Sequence, residues 1–413
     1  RNRSISDLSN RIYWIYFFFF CQQQPDQAMA IKRRSGTTKS PPILSHEFFI
    51  QNHADIISCI AMVIVVALLL QATSPFAVCF VALQHNITET IGNPFVHYSI
   101  GPKDCCVIFF YFLITIVIHA VIQEYIIDRI TRKLHLSKTK HSKFNESAQL
   151  LVFYLFSSVW AFEILRRDGL LLSIPQIWSN YPEKHVAMSY MIKYYFIIQI
   201  AYWLHTFPEL YFQKVKRDEL FGRIVYGLSY SILFIVAYYM NFNRIALCLS
   251  LIHYISEALL HLSNLLNFSN KNKFYNYVFN TWNVVFVLVR LLSISLSVLT
   301  FWYGLASSSI PSVDFASGNF NTPLIRLTCL SVIGLLQALM MWNFITFHLL
   351  RIRERAEEIA RRKKNALERS QLNKPKLSDI DVDELPEVDQ QQTTRLPTKG
   401  NLPSQKSGKI KTK

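Results

Sequence analysis

The sequence predicts an all-α fold, a polytopic transmembrane bundle of about eight spans. Three observations predict it. Apolar runs of about 20 residues recur along the 413-residue chain, the length a helix needs to cross ~30 Å of hydrocarbon. Backbone groups in lipid must be satisfied internally, and with only 11 Gly and no sustained apolar–polar alternation the runs read as helices, not as a β-barrel. The net charge of +16 sits between the runs and in the tails, as a topology signal does.

The runs follow in order. The first span lies within Ile56 to Leu83, with Pro75 placed to kink or end it. The second covers about Cys105 to Ile127, and a basic loop, Asp128 to Ser147, leads to the third, Ala148 to Leu165. The fourth, Ala187 to Phe207, is expected to stop at Pro208. The fifth (Ile224 to Met240) and sixth (Ile245 to Leu266) are joined by the tight link Asn241 to Arg244. The seventh is Val278 to Tyr303 and the eighth Leu324 to Leu350.

Charge sets the expected orientation. One side collects Lys32, Arg33, Arg34 and Lys39, the basic stretch from Arg129 to Lys143, then Lys214, Lys216, Arg217, Arg223, Lys271 and Lys273, and last the cluster Arg351 to Arg369. The other side has only Lys103, Arg166, Arg167, Lys184, Arg244 and Arg326. That bias puts both termini in the cytosol. It also puts the sequon Asn86-Ile87-Thr88 in the first lumenal loop, open to N-glycosylation, and leaves those at Asn145 and Asn267 on the cytosolic side. Basic loops of this kind also suit a ribosome or anionic lipid.

The ends read differently from the spans. The first Met is Met29, and residues 1–28 read as an upstream extension absent from the mature protein. Residues 29–53 form a cytosolic N-terminal segment, and 54–147 hold the first two spans and the basic loop. Residues 351–413 are a charged cytosolic tail, largely disordered, whose first part continues the last helix. Its end, with Lys409 and Lys411 in a KxKxx arrangement, fits a retrieval signal of resident endoplasmic reticulum proteins. The seven Cys form no CxxC pair, so no zinc or redox motif is visible, and no cofactor is implied.

Ionisable groups inside spans are costly and mark candidate function. His253, Glu257 and His261, spaced four apart, share one face of the sixth span, and Arg290 lies mid-way along the seventh. Lys193, His119 and Glu124 are the others. The four form a candidate groove that could take a lipid headgroup; the structural alternative pairs Glu257 with Arg290. Two His and one Glu on one helix superficially match metal ligation, but the HExxH order is absent and no metal is assigned. There is no P-loop, GxGxxG or GxSxG, so nucleotide and serine-hydrolase chemistry have no support, and no catalytic residue is assigned.

Several irregular strings resemble the translocating chain-associated membrane protein family. They are MAIKRR (29–34), KSPPILSHEF (39–48), QNHAD (51–55), IHAVIQEY (118–125), SKTKHSKFNES (137–147), QIAYWLHTFPELYFQ (199–213) and DFASGNFN (314–321). The resemblance covers about Met29 to Arg351. It implies a TLC-type domain of six spans over 148–350. It also implies a non-enzymatic place in the endoplasmic reticulum membrane beside the Sec translocation channel, with nascent chains, signal peptides and phospholipid as partners. The same domain type occurs in ceramide synthases, whose signature is a His-His pair and a later HDxxD-like stretch. Aligned on Asn241 to Ile245, this chain has Tyr226-Gly227 at the pair and reads His253-Tyr254-Ile255-Ser256-Glu257 at the later stretch. Without the pair there is no evident base for an acceptor amine or hydroxyl. A TLC-type lipid-binding or lipid-modifying enzyme is the alternative.

Overall fold

The computed structural model describes residues 45–88, 96–213, 215 and 217–372. The chain divides into two units after Arg351. The helices are α1 (His46–Gln51), α2 (His53–Ala67), α3 (Ser74–Val81), α4 (Asp104–Val121), α5 (Asp128–Leu134), α6 (Lys138–Arg167), α7 (Glu183–Val186), α8 (Tyr190–Phe212), α9 (Arg217–Tyr239), α10 (Asn243–Phe268), α11 (Asn272–Ser297) and α12 (Pro323–Leu372). A short ribbon pairs β1 (His97–Tyr98) with β2 (Met188–Ser189), antiparallel, with Tyr98 opposite Met188. Residues 1–44, where the proposed extension falls, and 373–413, where Lys409 and Lys411 fall, lie outside the described residues.

The fold is all-α and polytopic. Among the described residues six helical segments are long and apolar enough to cross a membrane: Asp104–Leu134, Lys140–Arg167, Glu219–Tyr239, Asn243–Phe268, Asn272–Ser308 and Pro323–Arg369. The other two expected spans are built differently. The first apolar run is broken into α2 and α3, and Pro75 sits in the first turn of α3, where its missing N–H costs nothing. The fourth, α8, has 23 residues but carries Lys193, Gln199, His205 and Glu209.

Two local expectations are corrected. Pro208 does not stop the fourth helix, which runs on to Phe212. A Pro removes one intrahelical bond, here the one to Leu204 O, and the turn before it carries side-chain bonds of its own: Thr206 Oγ1 donates to Trp203 O at 2.7 Å, and His205 Nδ1 meets Tyr202 O. The basic stretch 128–147 is not a loop. It is α5 and the start of α6, broken by His135 in a left-handed conformation (φ 47°). Arg129, Arg132 and Lys133 of α5 are exposed, as charges on a helix face are.

The surface is apolar and part of the interior polar. Leu69, Phe76, Val159 and Leu324 are all more than two-thirds exposed. Lys193, Asp104, Gln199, Ser157 and Arg290 are buried. A chain in water would reverse this, whereas lipid rewards an apolar exterior. The core centres on Trp203, Tyr154, Tyr195, Phe196, Tyr238 and Tyr254. The pair α6–α10 packs most extensively, and both helices bury small residues completely, Ser157 and Ala161 in α6 and Ser256 and Ser263 in α10. Small residues let helix backbones approach closely where lipid gives no hydrophobic drive. A second cluster, Tyr275, Phe279, Trp282 and Phe286, receives Phe344 and Phe347 of α12.

The second unit, from Ile352, is helical to Leu372 and exposed. The pairs Arg353–Glu357 (3.1 Å) and Glu358–Arg362 (2.8 Å) support it at four-residue spacing.

Candidate functional site

Of the four candidate residues, His253 and Arg290 meet where α10, α11 and α12 come together, Glu257 lies beside His253, and His261 turns to α6. Arg290, 1% exposed, donates through Nη2 to His253 Nδ1 at 2.8 Å and through Nη1 to Gln337 Oε1 at 2.8 Å. Met340 Sδ lies 2.7 Å from Nη1. The Phe286 ring covers the guanidinium carbon at 4.9 Å. His253 Nε2 meets the hydroxyl of Tyr230. Because a guanidinium only donates, Nδ1 must accept, so the imidazole proton sits on Nε2 and points at Tyr230. The polar seam continues through Tyr226, whose ring lies edge-on to Tyr230 at 4.9 Å, to the Tyr154 hydroxyl, 2.5 Å from that of Tyr226.

The expected Glu257–Arg290 ion pair is not formed. Arg290 directs its donors to His253, Gln337 and Met340, and the contact of Glu257 Oε1 is to His253 Nδ1, at 4.0 Å, on an imidazole that carries its proton at Nε2. The physical reason is reach. Four-residue spacing sets Glu257 one turn along α10 from the level at which the guanidinium arrives. The Glu257 carboxylate therefore has no hydrogen-bond partner among the described residues, and its side chain keeps 15% exposure. Arg290 Nε is likewise buried without a partner. His261, a further turn away, stacks on Tyr154 at 5.6 Å with Nδ1 unpaired.

The seam was only partly visible in sequence. Tyr154, Tyr230, Gln337 and Met340 gave no signal, since an aromatic or Met in an apolar run reads as packing. Tyr226-Gly227 did, through its alignment with a His pair. A Cβ placed on Gly227 would lie 2.6 Å from Thr206 Oγ1, and that hydroxyl is held on the Trp203 carbonyl. A side chain at 227 would have to displace that hydroxyl, so an imidazole there is disfavoured while Thr206 keeps its place.

A second polar centre forms around Lys193, whose partner Asp104 the sequence reading did not single out. Lys193 Nζ lies 2.7 Å from Asp104 Oδ1, both side chains fully buried. Nζ also donates to Gln84 O (2.8 Å) and Ser99 O (2.7 Å). Asp104 Oδ2 accepts from Tyr238 OH (2.9 Å) and the Gly101 amide (3.0 Å). Asp104 could have been noticed as an acid one residue before an apolar run. A third group joins His119 to Glu209 (3.3 Å) and to His205 (3.3 Å). Glu124 is exposed. Asn86 is exposed, and its Oδ1 accepts from the Thr88 amide at 2.9 Å. Among the described residues no group of three or more His, Cys, Asp or Glu is arranged to hold a metal ion.

Comparison with known proteins follows this geometry. The TLC domain profile matches residues 143–346, which contain the whole seam. The chain is 43% identical over 343 residues to mouse translocating chain-associated membrane protein 2, covering 83% of this chain and 91% of that protein. It is 42% identical over 327 residues to the human protein of the same name, covering 79% and 86%.

The chain belongs to the translocating chain-associated membrane protein family.

A more distant relative is the sphingosine N-acyltransferase lag1 of Schizosaccharomyces pombe, 22% identical over 229 residues, 52% of this chain and 57% of that protein. Within the translocating chain-associated family, then, the TLC fold is kept while position 227 is glycine in this chain and His253 has both ring nitrogens engaged.

Proposed function

We propose that the protein is a non-enzymatic accessory of protein translocation in the endoplasmic reticulum membrane. It would sit beside the Sec channel and assist signal sequences and weakly apolar transmembrane segments as they enter the bilayer. The observation that carries this reading is the occupied imidazole. A general base must offer a free nitrogen to its substrate, and His253 is held between Tyr230 and Arg290 with no second His beside it. What remains is a polar seam inside an apolar bundle, lined by Tyr154, Tyr226, Tyr230, His253 and Glu257. Such a seam offers hydrogen bonds to polar groups of a peptide or lipid that would otherwise meet hydrocarbon unpaired.

Within this reading both termini face the cytosol, and Asn86 faces the lumen and carries a glycan. Lys409 and Lys411 retain the protein, and the basic stretches Arg129–Lys143 and Arg351–Lys364 approach the ribosome or anionic lipid. The domain limits given above belong to the same proposal.

The test is reconstitution. Liposomes with the Sec channel, with and without this protein, receive a ribosome-bound chain carrying a weakly hydrophobic signal. More translocation with the protein, lost in Arg290→Ala, is expected; no difference would sink the accessory role. One observation favours a second reading, a lipid-binding or lipid-modifying protein: the Glu257 carboxylate makes no hydrogen bond among the described residues, its nearest printed contact being His253 Nδ1 at 4.0 Å. Mass spectrometry of co-purified lipid and incubation with acyl-CoA separate the two. Turnover abolished by His253→Ala would establish an enzyme.

A further inference from the structure

We propose that Glu257 receives the primary ammonium of a zwitterionic phospholipid, of the phosphatidylethanolamine class, whose headgroup lies in the polar seam. The inference rests on the proposed role of that seam as a binding site and adds which headgroup it selects.

Three observations carry it. The first is a missing donor. An ionised carboxylate only accepts hydrogen bonds, and Glu257 makes none among the described residues. Its contact is His253 Nδ1 at 4.0 Å, a nitrogen that already accepts from Arg290. The Glu257 side chain keeps 15% exposure, so the position is not sealed. A polar group left without a partner in the bundle is costly, and what completes it must bring N–H or O–H donors. The second is the surroundings. Along α10, Glu257 lies between His253, which meets Tyr230, and His261, which stacks on Tyr154 at 5.6 Å. Tyr226 joins these two tyrosines, edge-on to the Tyr230 ring at 4.9 Å and hydroxyl to hydroxyl with Tyr154 at 2.5 Å. An arc of phenol rings therefore spans the level of the carboxylate, and rings beside a carboxylate suit a cation. The third is charge. Arg290 and Glu257 carry opposite charges that do not pair, and together they are neutral. A free amine would bring an uncompensated positive charge into the bundle and an anionic lipid a negative one, whereas one ammonium with one phosphate brings neither. Arg290 Nε, buried with no hydrogen-bond partner, keeps a donor for the phosphate.

Selection among zwitterions follows from the donors. Ethanolamine presents three N–H groups to the carboxylate, while the quaternary ammonium of choline presents none and can only lie against the rings. An acyl chain has room beside α12. Gly334 shares a helix face with Leu330, which packs on the core, and with Gln337, which meets Arg290, yet a Cβ on Gly334 would meet no atom within 4 Å.

The experiment uses the full chain, purified in detergent and exchanged into mixed micelles. These hold equal amounts of dioleoyl phosphatidylethanolamine, its N-monomethyl and N,N-dimethyl derivatives, and dioleoyl phosphatidylcholine. Native mass spectrometry counts the lipid retained on the protein. Retention should fall with each added methyl group, with phosphatidylethanolamine about tenfold or more above phosphatidylcholine. Glu257→Gln should keep its unfolding midpoint and lose the preference. The methyl series is read on the unaltered chain, so it decides the matter even where the variant fails to fold. Equal retention of the four lipids overturns the selection and leaves the seam a lipid site. No retained lipid overturns the inference together with the lipid-binding use of the seam. A preference that persists in Glu257→Gln overturns the assignment to this carboxylate. A capped apolar peptide with one central lysine, added to the same micelles, tests the other source of a primary ammonium; its retention in place of the lipids overturns the phospholipid.

Discussion

Among the described residues, the buried charged centres at Lys193 and at Arg290 solve one problem in opposite ways. At Lys193 the charges meet directly and are nearly closed off: the ammonium has Asp104 Oδ1 at 2.7 Å, Gln84 O and Ser99 O, and Asp104 Oδ2 accepts from Tyr238 and Gly101, while Oδ1 has the ion contact alone among the described residues. At Arg290 the accounts stay open, because Glu257 has no hydrogen-bond partner among the described residues and Arg290 Nε is orphaned. Burying an ion is costly, and only a complete set of partners offsets it. The closed centre is therefore a clasp, holding the loop stretch around Gln84 and Ser99 to α8 and α4. The open centre keeps unspent polar capacity, which is what a binding site needs and a clasp does not.

The comparison can be broken at the clasp first, where the largest effect is expected. Lys193→Met alone leaves a buried carboxylate and should destabilise the protein by about 3–5 kcal/mol. Lys193→Met combined with Asp104→Leu should recover much of that loss. Thermal unfolding of the purified protein in detergent, followed by circular dichroism, measures both; equal losses in single and double variants would deny the clasp. Next in size is Arg290→Ala, which strips a charged donor from His253 and Gln337 and should cost about 1.5–3 kcal/mol. Its translocation phenotype should exceed what the lost stability explains.

A smaller effect sharpens the architecture of the site. Gly227→Ala must push Thr206 aside and should cost about 1–3 kcal/mol by overpacking. An unchanged midpoint would mean that α8 and α9 yield at this level and that a His pair could fit. The double-mutant cycle is finer still. His253→Ala with Arg290→Ala should show a coupling of at least ~0.5 kcal/mol, as groups in direct contact do. Glu257→Ala with Arg290→Ala should be closer to additive; a larger coupling there would restore the direct ion pair. The smallest expected stability change is Glu257→Gln, under about 0.5 kcal/mol, because no bond is broken. Any effect of Glu257→Gln on bound lipid or translocation would then belong to the site and not to the fold.

Much of this was legible in the residues. The apolar runs located the six long helices, and the four-residue spacing put His253, Glu257 and His261 on one face of α10. Sequence failed where the deciding contact lies far along the chain. Pro75 and Pro208 look alike on paper, yet one opens a helix and the other lies inside one, since only neighbouring side chains decide where the freed carbonyls turn. The basic stretch before Ala148 was read as a loop because charge marks exposure equally well on a loop and on a helix face. Tyr154 and Tyr230 were invisible because a hydroxyl in an apolar run shows nothing of its partner.

The sequence by itself determined that the chain is helical and built for a membrane, since hydrophobic length and backbone satisfaction in lipid are local properties. It also selected the charged residues that had to find partners. Only the tertiary structure decided which partners they found. Lys193 meets Asp104 across 89 positions and Arg290 meets His253 across 37. Pairings at that distance are set by how the helices pack, and the directions of single side chains then decide which centre closes and which stays open.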